Sequence, residues 1–179
     1  MNAAFFTTAE RLDALRAAAA AWEGTPFHAK AQLKGIGADC VSLARGIYAE
    51  AGFDGLRPFP EYSLAEGNSI NESKVQAWLE AEPLFGKIWS GEHAVLEAGA
   101  AGCRDCGTRT AAIALPVEPG DLLCLRVARV SHHVGVMIGD RSFIQTFHPY
   151  YARLYTLSDP TWRRRVTAIY RPLNAELGT

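Results

Sequence analysis

Apolar residues recur at helical spacing near the start of the chain. The first such segment has apolar side chains three or four positions apart, at Leu12, Leu15, Ala19 and Trp22. This spacing predicts a helix from about Thr8 to Trp22. Thr7 and Glu10 have the spacing of a capping box at its start. The Gly24-Thr25-Pro26 stretch predicts its end.

A second amphipathic segment follows a glycine-containing turn. Its apolar face is formed by Cys40, Leu43, Ala44, Ile47, Tyr48 and Ala51. Asp39 is a favourable N-cap, and Gly52 is a natural stop. The pattern therefore predicts a helix whose first residue is Cys40.

The C-terminal half shows strand patterns instead. Four segments read as strands: Leu122–Val127, His133–Ile138, Phe143–Phe147 and Val166–Tyr170. Between the two halves, Val75–Ala81 predicts a short helix, and residues 91–111 are poorly periodic. Helices first and strands afterwards indicate an α+β fold. We expect one domain over residues 1–179, with a loop-rich insertion at about 53–115.

Composition narrows the function classes. The 179 residues are 49% hydrophobic and 21% charged, with a net charge of −1, which indicates a globular chain. The only basic block is Arg163–Arg165, so nucleic acid is not an expected partner. The longest early apolar run, Ala17–Ala21, is too short to cross a membrane. The first residues lack the regions of a signal peptide, so synthesis and folding in a cytoplasm are expected.

Cys40 is the main candidate for chemistry. A cysteine at a helix start faces unpaired backbone N–H groups, which favours a thiolate. An activated thiol also needs a base, which itself needs an orienting partner. The segment from Ser131 to Phe147 reads as a hairpin that supplies His133 and, on the second strand, Gln145 followed by His148.

The hairpin register decides the partner of His133. A three-residue loop at Gly139–Arg141 makes His133 and Gln145 diagonal neighbours on one face. A two-residue loop at Asp140-Arg141 places His133 opposite His148 and turns Gln145 away. The residues alone leave both registers open.

Several segments together resemble the NlpC family of papain-like cysteine peptidases, and most of all its phage and phage-like tail cell-wall branch. They are "WEGTPFHAKAQLKGIGADCVSLARGIYAEAG", "PGDLLCLRV", "HHVGVMIGDRSFIQTF" and "TAIYRPL". The resemblance implies a papain-like fold with N-terminal helices packed on a mainly antiparallel sheet. It also selects the three-residue loop.

The resemblance implies roles for individual residues. Cys40 is the nucleophile, with its own backbone N–H helping to bind the oxyanion, and His133 is the base. Gln145, where close relatives usually have His, is the third catalytic residue, and His148 is the alternative. Phe27 and His28 are candidate substrate-binding residues. Phe27 stands where relatives usually carry a Tyr, so that hydroxyl is absent.

The implied reaction is hydrolysis of peptidoglycan stem peptides at the γ-D-glutamyl–diamino acid bond, without metal or cofactor. The expected place of action is the cell wall, as part of a phage or phage-like tail and in contact with other tail proteins. Two alternatives stay open. One is a weakly active or inactive tail assembly protein, and the other is an amidase or acyltransferase on the same fold.

The remaining cysteines allow a competing interpretation. Cys103 and Cys106 form a single C-x-x-C, which Cys124 and His132 could complete as a zinc site. A second pair at finger-like spacing is missing, so unliganded thiols are expected instead.

Overall fold

The computed structural model of the protein describes residues 2–61, 73–91, 114–127 and 130–175. Four helices lie in this part of the chain: α1 (Ala9–Trp22), α2 (Cys40–Glu50), α3 (Lys74–Ala81) and α4 (Pro160–Arg163). A small hairpin is formed by β1 (Gln32–Leu33) and β2 (Gly37–Ala38). The main strands are β3 (Phe85–Ser90), β4 (Leu122–Val127), β5 (Val130–Met137), β6 (Ser142–Gln145), β7 (Arg153–Thr156) and β8 (Val166–Pro172).

The main strands form one six-stranded sheet in the order β3-β8-β4-β5-β6-β7. Every neighbouring pair in it is antiparallel. Hairpins and near neighbours in sequence account for β4 to β7, while β8 returns to lie between β3 and β4. The sheet therefore places β5 and β6, which carry His133 and Gln145, near its centre.

The two faces of the sheet have different apolar clusters. Because side chains alternate along a strand, Cys124, Val134 and Ile144 point to the larger cluster, which also contains the buried sides of α1, α2 and α3. The smaller cluster on the other face contains Leu123, Leu125, Met137, Phe143, Leu157, Val166 and Ile169. The helices thus cover one face, and Trp162 of α4 packs against the other.

Helices α1 and α2 pack closely at a glycine. A Cβ placed on Gly46 would lie 2.2 Å from the Trp22 ring, so only glycine allows this approach. The indole N–H of Trp22 donates to Glu50 at 3.0 Å. The two contacts dock α1 against the helix that begins with Cys40.

Most sequence-predicted elements are confirmed, with one wrong cap. Helix α2 begins at Cys40 and ends before Gly52, which has a positive φ of 81°. The predicted capping box of Thr7 and Glu10 is wrong. Thr8 is the N-cap of α1, and its hydroxyl accepts from the backbone N–H of Arg11 at 3.3 Å.

The predicted insertion at about 53–115 is described only in part. Its predicted helix is α3, and the strand β3, which the sequence analysis did not predict, adds an edge to the sheet. Residues 62–72 and 92–113 of this range lie outside the described residues. Where the structure describes the chain, no helix is long and apolar enough to span a membrane.

Candidate active site

A dense set of hydrogen bonds positions Cys40 at the start of α2. Asp39 is the N-cap, and its Oδ1 accepts from the Ser42 backbone N–H at 2.8 Å. Ser42 Oγ accepts in return from the Asp39 backbone N–H at 2.9 Å. The second carboxylate oxygen of Asp39 accepts from the Lys30 backbone N–H at 2.8 Å. The cap that begins the helix therefore also fixes the preceding loop.

The segment with Phe27 and His28 lies alongside the residues before the cap. The Ala38 backbone N–H donates to the carbonyl of Pro26, and the His28 N–H donates to the carbonyl of Ala38, both at 3.0 Å. Phe27 is half-buried and His28 is exposed. Backbone pairing therefore holds the segment with Phe27 and His28 beside Ala38, two residues before Cys40 in the sequence.

His133 lies on β5, the strand against which α2 packs. The backbone of Val134, the next residue on that strand, acts to lower the pKa of the Cys40 thiol. Strand β5 pairs with β6 through Val136–Ile144 and Met137–Phe143, so His133 and Val134 lie beyond these pairs. The structure therefore brings Cys40 to the backbone of the His133 segment. No hydrogen bond joins the thiol to the imidazole, although both side chains are among the described residues.

The hairpin has the register of the three-residue loop. The Ile138 backbone N–H donates to the Ser142 carbonyl at 2.9 Å, and the β5–β6 pairs continue this register. His133 and Gln145 are therefore on one face of the sheet, as diagonal neighbours. Gln145 is fully buried.

His148, the alternative third residue, is placed differently. It is exposed, and its ring contacts Phe27 edge-to-face at 5.8 Å between centroids. Gln145 is the one whose amide interacts with His133 and favours the protonated imidazole. The geometry thus favours Gln145 as the orienting residue, and the catalytic roles themselves stay a prediction.

Burial favours the protonated form of the Cys40 thiol. Burial, followed by the negative charge of Asp39, raises its pKa from 9.0 to about 12. The backbone N–H groups of Val134, Val41 and Cys40 act in the opposite direction but are outweighed. Cys40 as a residue keeps partial exposure, so solvent reduces this effect without reversing it. Burial thus opposes the thiolate that the helix start favours, and a thiolate at rest stays a prediction.

The imidazole of His133 is neutral in this structure. Burial lowers the pKa of His133 from 6.5 to about 4, while Gln145 and then Asp39 favour the charged form and Arg165 opposes it. Its Nε2 is buried without a hydrogen-bond partner, and so are both amide atoms of Gln145. The Gln145 amide is therefore close enough to influence the imidazole but does not complete a hydrogen bond of good geometry to it.

Aromatic side chains that the sequence analysis did not identify extend from His133 towards the surface. Phe147 meets the His133 ring edge-to-face at 6.0 Å. Tyr150 contacts Phe147 at 5.0 Å and is exposed. No periodicity marks these residues, because Phe147 and Tyr150 lie on the connection after β6.

The described residues give no support to the alternative of a zinc site. Within residues 2–61, 73–91, 114–127 and 130–175, no three His, Cys, Asp or Glu side chains are grouped to hold a metal ion. Cys124 is buried in the apolar cluster. Cys103 and Cys106 lie outside the described residues, so their state stays a prediction.

The sequence model of the NlpC/P60 family matches residues 21–171, most of the chain. The chain belongs to the NlpC/P60 family. The match includes α2 with Cys40 and the β5–β6 hairpin with His133 and Gln145. A comparison with curated proteins gives no significant match.

Solved structures of NlpC/P60 proteins have a similar fold. One is an NLP/P60-family protein from Staphylococcus aureus subsp. aureus Mu50, described as similar to lipoprotein: TM-score 0.57, 16% identity, 97% of this chain and 44% of that chain covered. NlpC1 from Trichomonas vaginalis has a TM-score of 0.50 and 12% identity, with coverage of 96% and 48%. The NlpC/p60 domain of the peptidoglycan hydrolase SagA has a TM-score of 0.46 and 15% identity, with coverage of 90% and 98%.

These likenesses concern the fold. The chain spans less than half the length of the first two of these proteins. The α+β architecture with helices on an antiparallel sheet, expected from the sequence, is confirmed as the papain-like NlpC/P60 fold.

Proposed function

We propose that the protein is a cysteine peptidase that hydrolyses peptidoglycan stem peptides at the γ-D-glutamyl–diamino acid bond. One observation carries the proposal: α2, which begins with Cys40, packs against strand β5, which carries His133. Family membership supports a thiol hydrolase. The structural neighbour SagA is itself named a peptidoglycan hydrolase.

The reaction starts from a neutral pair. Because burial favours the protonated thiol and the neutral imidazole, His133 takes the thiol proton as the sulfur attacks the substrate carbonyl. The negative oxygen of the tetrahedral intermediate is stabilised by the Cys40 backbone N–H at the helix start. His133 then protonates the leaving amine. Water hydrolyses the thioester, with His133 accepting the proton of the water.

The Gln145 amide has an orienting role in this scheme. It can donate to or accept from the imidazole, but it adds no negative charge. Its support for imidazolium is therefore weaker than that of a carboxylate. Phe27 and His28, whose backbone pairs with Ala38 just before the helix start, are the proposed substrate-binding residues.

The proposed setting is a phage or phage-like tail. The quoted motif segments resemble that branch, and tail delivery brings the enzyme from the cytoplasm where it is made to the cell wall of the target. Other tail proteins are then its partners.

Peptidoglycan digestion tests the proposal. Purified sacculi of several wall types are incubated with the protein, and the soluble fragments are analysed by mass spectrometry. Fragments with new γ-D-glutamyl carboxyl ends are expected from the wild type, and none from Cys40→Ala. Fragments that Cys40→Ala releases equally, or cleavage at the sugar–peptide amide only, contradict the proposal.

A second candidate function is a tail assembly protein without activity. The raised pKa of Cys40 and the lowered pKa of His133 favour it, because both oppose the charged pair. Iodoacetamide labelling of Cys40 at neutral pH, followed by peptide mass mapping, separates the two. A thiol that reacts no faster than a buried cysteine, with no fragments from any wall type, supports the structural role.

A further inference from the structure

Tyr150, Arg153 and Tyr155 form one surface at an edge of the sheet. The guanidinium carbon of Arg153 lies 5.5 Å from the centre of the Tyr150 ring and 4.9 Å from that of the Tyr155 ring. Its Nε donates to the Tyr155 hydroxyl at 2.7 Å. Arg153 and Tyr155 belong to the edge strand β7, and Tyr150 lies shortly before it. We call these three residues the Tyr–Arg surface.

Arg153 is held in place without an anionic partner. The two rings and the hydroxyl fix a side chain that is otherwise exposed. Among the ion pairs of the described residues, none involves Arg153. Residues 147–158, which surround it in the sequence, contain no Asp or Glu. The terminal nitrogens of the guanidinium are therefore hydrogen-bond donors that a ligand can use.

The two tyrosine rings are supported by other aromatic side chains. Tyr155 packs against Phe143 and Trp162, with ring centres 5.7 and 4.7 Å apart. Tyr150 packs against Phe147 at 5.0 Å, yet 46% of Tyr150 is exposed. Exposed apolar surface that is contiguous marks binding sites more often than isolated exposed residues do. The Tyr–Arg surface therefore has its shape before any ligand binds, which lowers the cost of binding.

An N-acetylated sugar suits this combination of groups. One side of a sugar ring is a set of C–H groups that packs on an aromatic ring, while its hydroxyl and acetamido oxygens accept hydrogen bonds. Tyr150 supplies an exposed ring, and Arg153 supplies donors beside it. A carboxylate alone needs only the guanidinium, and an apolar side chain needs only the ring. The presence of both groups favours a sugar.

The Tyr–Arg surface lies near the candidate active site but not at the sulfur. The Phe147 ring contacts Tyr150 at 5.0 Å and His133 at 6.0 Å, so two ring contacts separate Tyr150 from the proposed base. In peptidoglycan, L-Ala and D-Glu separate the muramyl sugar from the γ-D-glutamyl–diamino acid bond. Two extended residues span roughly 7 Å, and the γ-linkage adds a little more. This length is comparable to the separation of the two rings.

We propose that the Tyr–Arg surface binds the N-acetylmuramyl sugar of a glycan-linked stem peptide. The inference deepens the proposed peptidase function and rests on it. The Tyr150 ring packs on the sugar, the Arg153 guanidinium donates to its oxygens, and Tyr155 holds the guanidinium in place. The enzyme then prefers stem peptides that are still attached to the glycan over free peptides of the same sequence.

The experiment compares two soluble substrates that differ by the sugar. One is N-acetylmuramyl-L-Ala-γ-D-Glu-diaminopimelate, and the other is N-acetyl-L-Ala-γ-D-Glu-diaminopimelate, which has the same charges. Binding is measured by calorimetry on Cys40→Ala, and kcat/KM is measured on the Cys40 protein. The sugar is expected to strengthen binding by about 10- to 30-fold, the combined scale of one aromatic contact and one hydrogen bond.

Two variants assign the preference to the Tyr–Arg surface. Arg153→Met keeps an unbranched side chain without donors, and Tyr150→Ala removes the exposed ring. Each is expected to reduce the preference for the sugar to about threefold or less. Two matched controls keep the full preference. They are Arg16→Met, at an exposed position of α1, and Ile88→Ala, an exposed apolar residue of β3 at the opposite edge of the sheet.

The outcomes separate this inference from the proposed function. Equal binding of the two substrates by the wild type, or a preference that survives in both variants, overturns the sugar site and leaves the peptidase intact. A preference that depends on Arg153 and Tyr150, without cleavage of either substrate, overturns the peptidase and leaves the sugar site. Absence of binding to both substrates overturns both. Thermal melts of each variant exclude loss of folding as the cause.

Discussion

The two sides of the candidate active site are built in opposite ways. On the helix side, the Asp39 carboxylate has backbone partners for both of its oxygens, and Ser42 returns a bond to the Asp39 backbone. On the strand side, Nε2 of His133 and both amide atoms of Gln145 are buried without hydrogen-bond partners. The polar groups of the helix side therefore have their hydrogen bonds, whereas those of the strand side lack them.

The difference indicates where the resting site still has to change. A satisfied cap holds the sulfur in one place without further contacts. Buried polar atoms without partners destabilise the folded state, and they persist at functional sites where a ligand or a water can meet them. We therefore expect substrate binding to reorganise the His133 side far more than the Cys40 side.

The largest expected effect comes from removing the base. His133→Asn should lower kcat for peptidoglycan fragments by about 10²- to 10⁴-fold, because no side chain then takes the thiol proton. Initial rates of fragment release, measured by mass spectrometry, check this. His148→Asn, a matched change at an exposed histidine, should keep near-normal rates. Equal losses in both variants would contradict the assignment of His133 as the base.

The pH dependence of stability is the next largest effect. The pKa of His133 is lowered from 6.5 to about 4 in the folded protein, so the unfolded chain binds more protons between these values. Stability attributable to His133 is therefore complete above pH 6.5 and lost as the pH falls towards 4. The difference amounts to about 3 kcal/mol.

Urea unfolding of the wild type and of His133→Asn between pH 7 and pH 4 measures this loss. Other groups titrate in the same range, so the quantity of interest is the difference between the two curves. The wild type should lose more stability than His133→Asn across this window. Parallel curves would show that His133 is not held neutral by burial, and His148→Asn should follow the wild type throughout.

A substitution of Gln145 should have two smaller effects of opposite sign: higher stability and lower activity. Gln145→Met fills the same space without polar atoms, so it should raise the free energy of unfolding by about 1 kcal/mol. The same change removes the amide beside His133 and should lower kcat by about tenfold. Urea melts and fragment-release rates measure the two effects. Gln32→Met, at an exposed position, is the matched control; a destabilised Gln145→Met with full activity would be the contrary result.

On the helix side of the site, Asp39→Asn should give the smallest of these effects, a change in the rate at which Cys40 is labelled. Asparagine keeps an acceptor for the Ser42 N–H and remains a good N-cap, although its NH2 group cannot accept from the Lys30 N–H. It lacks the negative charge that raises the pKa of Cys40. Iodoacetamide labelling of Cys40 at pH 7 should become about two- to tenfold faster. In the control variant Asp13→Asn, changed at an exposed position of α1, Cys40 should be labelled at the wild-type rate. Slower labelling of Asp39→Asn would mean that the carboxylate supports the thiolate.

The sequence predicted the elements that have strong local signals. Helix α2, with Asp39 as cap and Gly52 as stop, is present as expected, and so is α3. A strand also lies at each of the four predicted segments, although β5 ends at Met137 and β6 ends at Gln145. The edge strands β3 and β7 were missed, because their composition shows weak alternation and only the neighbouring strands make them part of a sheet. Whether such a segment becomes an edge strand depends on the tertiary structure, so its own sequence does not predict it.

The site shows the same division. The helix-start position of Cys40 follows from capping, so it could be predicted from the residues. The residues left the hairpin register open, and the family resemblance selected the three-residue loop that the structure has. The protonation of the pair could not be predicted, because it depends on burial by residues distant in sequence.

The contact between Trp22 and Gly46 links the position of the first helix to that of α2, the helix that begins with Cys40. A methyl group at position 46 would lie 2.2 Å from the indole, so any larger residue pushes the two helices apart and displaces the sulfur with them. Substitutions on the solvent-exposed side of α1 leave this contact unchanged. A substitution of Trp22 or Gly46 requires a compensating substitution of the other residue. Homologues in which either has changed are therefore expected to have changed both.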